Sequence, residues 1–212
     1  MVSRNDERDR PAVTATTSSE GKRPYRMGKR AASTERTRRR IIDVALKLWR
    51  ERWYDEITLR EVAAQAGVSL RTVVNHFGAK EEIFAAALER PVQEGLMTRI
   101  AAEPDDIAAA VCLLVRDYEN VGDATIRTLA LEGRVPALDI TIERGRELQR
   151  GWVEATFPAA LSGLRGTARE RQIDLLVCAT GVYTWKILRR DRKLSQAQTA
   201  AAIRQLIEAL HQ

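Results

Sequence analysis

The sequence predicts an all-α chain of about nine helices, and three observations carry that expectation. Apolar residues recur at three- and four-residue steps along most of the chain after residue 32. No run shows the apolar/polar alternation or β-branched density of a strand. The stretch Thr58 to Phe77, TLREVAAQAGVSLRTVVNHF, reads as two short helices around a glycine turn.

Composition narrows the class of protein. With 212 residues and 44% of them hydrophobic, the chain has enough apolar material for a proper core. The longest uncharged apolar-rich run, Leu175 to Trp185, lies between Asp174 and Lys186. It is well short of the roughly 20 residues a bilayer span needs. A polar, charged N-terminus lacks the apolar core of a secretory signal, and two cysteines are no disulfide framework, so a cytoplasmic location is expected. The net charge of +6 is unevenly spread. Residues 1–40 hold twelve Lys or Arg against five Asp or Glu, and the other 172 residues sum to −1. A cationic end of this kind points to a polyanionic partner.

Residues 1–32 are rich in Arg, Ser, Thr, Gly and Pro without apolar periodicity and are expected to be a disordered basic arm. Such an arm is either a solvated leader or a strand of cations that tracks phosphates. Ser33 or Thr34 can cap a helix running to about Arg52, with Ile41, Ile42, Ala45, Leu48 and Trp49 on one stripe. Its first turns carry Arg36, Arg38, Arg39 and Arg40, cations that oppose the helix dipole and so suggest an external anion.

In the central stretch Thr58 stands where an N-cap oxygen is wanted, and Leu59, Val62, Ala63 and Ala66 share a face. Gly67 can take the left-handed conformation that ends a helix, and Ser69 starts the next. Val68, Val73 and Phe77 supply the apolar side of that second helix. Leu70, Arg71, Val74 and Asn75 fall on its other faces. This is the helix-turn-helix pattern, whose second helix enters the major groove of DNA. A fourth helix opens at Lys80, Glu81 and Glu82, with Ile83, Phe84, Ala87 and Leu88 inward, and Pro91 should bend it or start a new segment.

Taken together, Thr34 to Leu88 resembles the DNA-binding domain of the TetR (tetracycline-repressor) family of bacterial regulators. The matching residues are the Ile41, Ile42, Ala45, Leu48 stripe, the run from Ile57 to Ser69, Thr72-Val73, His76-Phe77 and Lys80-Glu81. The resemblance departs at Val74, where the family usually has a tyrosine that contacts the DNA backbone. It implies three regions: the arm 1–32, a DNA-binding domain 33–90, and a helical ligand-binding and dimerisation domain 91–212.

The C-terminal half shows architecture only. Helices are expected at Asp105 to Asn120, Asp123 to Glu132, Ala137 to Ala155, Gly166 to Arg190, and from a Ser195 cap through Leu210. The last two resemble the pair with which family members form a four-helix dimer interface.

For the DNA contacts, Ser69, Leu70, Arg71, Val74 and Asn75 are the base-contact candidates. Arg71 suits the O6 and N7 acceptors of guanine, Asn75 suits adenine, and Leu70 or Val74 suits a thymine methyl. Arg38, Thr58, Arg60, Thr72, His76 and Lys80 are the phosphate candidates, Thr58 and Lys80 lying near helix N-termini. Val111, Leu114, Tyr118, Trp152 and Tyr183 are candidates for a ligand pocket between helices, or else plain core. Cys112 and Cys178 sit among apolar helix residues and are expected to pack as small hydrophobes. Glu143 and Glu147, beside Arg144, Arg146 and Arg150, read as a salt-bridged surface. No metal-ligand set, phosphate loop or nucleophile–base pair is found, so neither a metal, a cofactor nor an enzymatic activity is expected.

The expected function is therefore that of a homodimeric transcriptional regulator, a repressor released from a palindromic operator by a small apolar or aromatic ligand. The alternative is a sequence-independent DNA-coating protein whose C-terminal half only dimerises.

Overall fold

The computed structural model describes the backbone of residues 23–99 and 101–210, with side chains at 31–90, 94–95, 99 and 101–210. The described residues are helical and contain no strand. Helix α1 spans Arg23–Glu51, α2 Leu59–Gln65, α3 Leu70–Phe77, α4 Lys80–Arg99, α5 Ile107–Leu129 and α6 Pro136–Thr156. Then follow α7 Gly166–Thr180, α8 Val182–Lys186 continued by a π-helical turn Ile187–Asp191, and α9 Gln196–Ala209.

Two compact units divide the chain after Thr37. In the first, the described part is the opening of α1, where Ala31 to Arg36 are exposed and Thr37 Oγ1 donates to the Ser33 carbonyl at 3.0 Å. The helix thus does not begin at Ser33 or Thr34. Residues 23–32, expected to belong to the arm, continue it upstream, with Pro24 in the first turn where its missing N–H removes no helical bond. The rest of the expected arm, residues 1–22, lies outside the described residues.

In the second unit, Arg38–Gln212, two hydrophobic cores form. One gathers the predicted stripe of α1 (Ile41, Ile42, Ala45, Leu48 and Trp49), the helix-turn-helix residues Val62, Ala63, Ala66 and Val73, and Ile83, Phe84, Ala87 and Leu88 of α4. Leu131, Leu138 and Ile142 from beyond α5 and from α6 complete it. The other joins α5 to α9 around Val111, Leu114, Trp152, Ile173, Trp185 and Ile203. Helix α4 crosses the boundary expected at residue 90 and runs through Pro91 without interruption.

Two elements differ from the periodicity. The expected pair Asp105 to Asn120 and Asp123 to Glu132 is one helix, α5. Gly122 is not a break within it but a point of contact, because a Cβ there would lie 2.5 Å from Trp185 Cζ3. Conversely, the single helix expected over Gly166 to Arg190 is interrupted. Thr180 ends α7, Gly181 is extended (φ −70°, ψ 153°), and α8 restarts at Val182. The interruption turns Trp185 onto α5, where its Nε1 donates to Glu119 at 3.1 Å.

Candidate nucleic-acid interface and internal cavity

The helix-turn-helix is built by local chemistry. Thr58 caps α2, its Oγ1 accepting from the Glu61 N–H at 3.2 Å. At the other end Gly67 has φ +63°. The Gly67 and Val68 N–H groups bond the Ala64 and Ala63 carbonyls at 3.1 and 3.0 Å, the two bonds of a Schellman ending. Ser69 then caps α3, its Oγ accepting from the Thr72 N–H at 3.1 Å and pairing with Thr72 Oγ1 at 2.9 Å. Gly78, at φ +77°, closes α3.

Val73 is buried, and Leu70, Arg71, Val74 and Asn75 on the other side of α3 are all exposed. Ser69 is exposed as well, at the N-cap that it closes. Leu70 and Val74 are 38% and 43% exposed, which for aliphatic side chains on a surface suits contact with a partner.

The phosphate candidates are less uniform. Thr58 and Arg60 are exposed. Thr72 and His76 are half-buried on the flank of α3, with the Thr72 hydroxyl engaged by Ser69. Arg38 lies with its guanidinium 4.9 Å over the Phe77 ring, which fixes it beside the end of α3. Lys80 is turned inward. Its ammonium stands 3.8 Å over the Tyr54 ring and donates to the Tyr54 carbonyl. Burial lowers its pKa, with Asp55 and Glu81 working against the shift. Tyr54 in turn donates its hydroxyl to Glu81 at 2.9 Å. That contact, added to the bond from the Glu81 backbone N–H, holds the Glu81 carboxyl below its usual range. Lys80 and Glu81 therefore fasten the start of α4 to the connection that precedes α2. The Arg90–Asp43 pair (2.8 Å) ties α4 to α1 further along.

Behind this surface lies a cavity of about 250 Å³. Trp49 of α1, Leu88, Gly95 and Arg99 of α4, Tyr118 and Val121 of α5, and Ile142 and Gln149 of α6 stand in its wall. Of the five pocket candidates only Tyr118 lines it. Val111, Leu114 and Trp152 are instead close-packed in the second core, at 1%, 0% and 2% exposure, and Tyr183 faces solvent at 55%. On α5 the helical repeat places Val111 and Leu114 on the buried stripe that enters the second core, and Tyr183 lies on the outer side of the short α8. Both cysteines also depart from expectation, being exposed rather than packed, because each lies off the buried stripe of its helix.

One end of the cavity is polar. Arg99 donates to Asp117 Oδ2 from Nε (3.1 Å) and Nη2 (2.8 Å), and from Nη1 to Gln149 Oε1. Gln149 Nε2 donates to Thr180 Oγ1 at 2.9 Å, and the Tyr118 hydroxyl donates to the Thr180 carbonyl at 3.0 Å. Burial works against the Arg99 charge, but Tyr118 and Asp117 outweigh it and raise its pKa. Nearer α1, Trp49 Nε1 donates to Thr128 Oγ1 at 2.7 Å, and Arg127 Nη2 caps α1 through the carbonyls of Trp49 (2.9 Å) and Arg50 (2.7 Å). Of these residues, sequence reasoning named Tyr118 but missed Arg99, Asp117 and Gln149. The available signal was that Asp117 and Gln149 are polar residues set on otherwise apolar helix faces, and such groups need partners when buried.

Among the described residues no cluster of His, Cys, Asp or Glu is arranged to hold a metal, and no helix is long and apolar enough to cross a membrane. Arg146, paired with Glu132 and Glu143, and Arg150, paired with Glu154 and Glu170, form a salt-bridged surface on α6.

Comparison with known proteins places this geometry. Residues 41–87 match the model for bacterial regulatory proteins of the tetR family. Over 89 residues the chain is 34% identical to the HTH-type transcriptional regulator SrpR of Pseudomonas putida, covering 41% of this chain and 42% of that protein. Over 73 residues it is 37% identical to an uncharacterized HTH-type transcriptional regulator of Haemophilus influenzae, covering 34% of each. The chain thus spans less than half the length of these curated relatives. A tetR-family transcriptional regulator from Streptomyces coelicolor shares the fold at a TM-score of 0.63 and 20% identity, over 82% of this chain and 80% of that one. A capped helix-turn-helix and a matching domain model agree: residues 41–87 form a DNA-binding domain of the kind found in bacterial regulatory proteins of the tetR family, and the helices around it share the fold of a tetR-family regulator.

Proposed function

We propose that the chain acts in the cytoplasm as a homodimeric repressor that leaves a palindromic operator when a small apolar or aromatic molecule enters the cavity. The observation that carries this reading is that one cavity is walled by α1 and α4, the helices that hold the helix-turn-helix, as well as by α5 and α6. Helix α4 is tied at its start to Tyr54 and at its end, through Arg99, to Asp117 and Gln149. A guest that shifts the far end of α4 moves the near end too. Two reading heads set for half-sites about 34–36 Å or a multiple apart then fall out of register.

In DNA binding, Arg71 and Asn75 read base edges while Thr58, Arg60 and Arg38 hold phosphates. Dimerisation runs through 166–190 and 195–210, which is supported by the exposed apolar residues Leu175, Ile187 and Leu206 on these elements.

Selection of bound sites from a random DNA pool tests the reading. A palindromic consensus preferred over random DNA by about 10³ or more supports a regulator, and uniform binding supports a DNA-coating role instead. A ligand found by thermal-shift screening should weaken operator binding about 5- to 150-fold, the usual range of allosteric coupling. Unchanged affinity at saturating ligand would sink the release mechanism.

A further inference from the structure

The cavity wall carries three charged side chains, Arg99, Asp117 and Arg146, and their charges are compensated within the protein. Arg99 and Asp117 neutralise each other while only 13% and 11% exposed, and the Arg99 guanidinium is further enclosed by the rings of Tyr118 (4.8 Å) and Trp152 (5.8 Å). Arg146 directs both Nη groups outward to Glu132, at 2.5 and 2.6 Å. A charged molecule entering this space would lose its hydration and meet no unpaired countercharge. The rest of the wall is mainly apolar, with Trp49, Leu88, Val121, Leu129, Ile142 and Val182 prominent. At about 250 Å³ the cavity exceeds the roughly 150 Å³ that accommodates one benzene.

We propose that the cavity takes an uncharged, largely apolar molecule of one or two rings, oriented by a hydrogen-bonding group at the Asp117–Arg99–Gln149 end, and that the Arg99–Asp117 pair is what turns charged congeners away. This deepens the reading of the cavity as the effector site and rests on it. It makes the pair a specificity determinant as well as the anchor of α4. Removing one partner alone leaves a charge of known sign in the wall, so the selectivity has a predictable inversion.

The probes are 2-naphthol, 2-naphthoate and 2-naphthylmethylammonium, titrated calorimetrically into the full chain without DNA, so that the result is independent of operator release. The expected result is that 2-naphthol binds at least tenfold more tightly than either ion. Asp117→Asn, which leaves Arg99 uncompensated, should shift the preference to 2-naphthoate, and Arg99→Gln should shift it to the ammonium. Gly145 lines the cavity, and a Cβ there would meet no atom within 4 Å. Gly145→Leu should therefore fold and lower naphthol binding tenfold or more, which keeps the test decisive if the charge variants do not fold. The proposal is overturned if an ion binds the wild type as tightly as 2-naphthol, if none of the three binds, or if a folded Asp117→Asn keeps the wild-type order. If 2-naphthol binds as expected but leaves operator affinity unchanged, the effector reading fails while the assignment of ligand class stands.

Discussion

Gly122→Ala is a one-methyl change whose cost can be worked out from the packing of α5 against α8. The new Cβ would lie 2.5 Å from Trp185 Cζ3, 2.7 Å from Cη2 and 3.0 Å from Cε3, against an optimum near 3.5–4.0 Å for carbon pairs. Trp185 has little room to retreat. It is fully buried, its Nε1 is bonded to Glu119 (3.1 Å), and its ring has the Arg190 guanidinium at 4.5 Å and the Tyr118 ring at 5.8 Å. Overpacking of this kind costs about 1–3 kcal/mol, while replacing a mid-helix glycine with alanine returns roughly 0.5–1 kcal/mol. The net expectation is a loss of about 1–2 kcal/mol. For a chain of this size that corresponds to a fall in Tm of roughly 2–8 °C. Urea denaturation followed by circular dichroism measures it. Gly145→Ala, with nothing within 4 Å of its Cβ, is the matched control and should be neutral or stabilising. Trp185→Phe removes the crowded part of the indole, so the double variant Gly122→Ala/Trp185→Phe should lose less than the sum of the singles. A Gly122→Ala protein as stable as the wild type would refute the argument that this glycine exists for close approach.

The other expectations concern the reading head and its attachment. Arg71→Ala should cost about 1–3 kcal/mol at the operator and relax preference at one base position, measured by competition with single-base operator variants; an equal loss on every sequence would reassign Arg71 to phosphate. Lys80→Gln should leave the slope of log K against log salt unchanged, because its ammonium is directed at Tyr54, whereas losing a true phosphate contact lowers the slope by about 0.9. Glu81 has a lowered folded-state pKa, so its contribution to stability is complete above the ordinary value of 4.5 and disappears as pH falls through the folded value. The difference in melting temperature between wild type and Glu81→Gln should accordingly be constant from pH 7 to 5 and shrink below 4.5. Leu206→Glu places a charge on the face proposed for dimerisation and should shift the sedimentation of the chain towards monomer; an unchanged dimer would move the interface elsewhere.

The helix-turn-helix was legible residue by residue because its determinants are local. The Thr58 and Ser69 caps, the positive-φ Gly67 and the stripes of α1 and α4 each depend on neighbours within four or five positions, and spacing along the chain records such relations. The exposure of Leu70, Arg71, Val74 and Asn75 followed from the same spacing, since the buried Val73 fixes the rotation of α3. What only the tertiary structure decided depends on distant partners. Residues 121–122 fall between two expected helices until Trp185, far along the chain, is seen against Gly122, and the interruption at Gly181 shows only once α8 turns Trp185 inward. Lys80 carries the spacing of a phosphate ligand, yet its ammonium belongs to Tyr54. The cavity was the least legible part. Arg99, Asp117 and Gln149 come from three helices, and a periodicity that reports which face is apolar cannot say which polar groups on those faces will meet. By itself the sequence determined an all-α chain with a capped helix-turn-helix. Tertiary packing decided where its cavity lies and how α4 is held at both ends, because those depend on side-chain contacts between segments that share no local pattern.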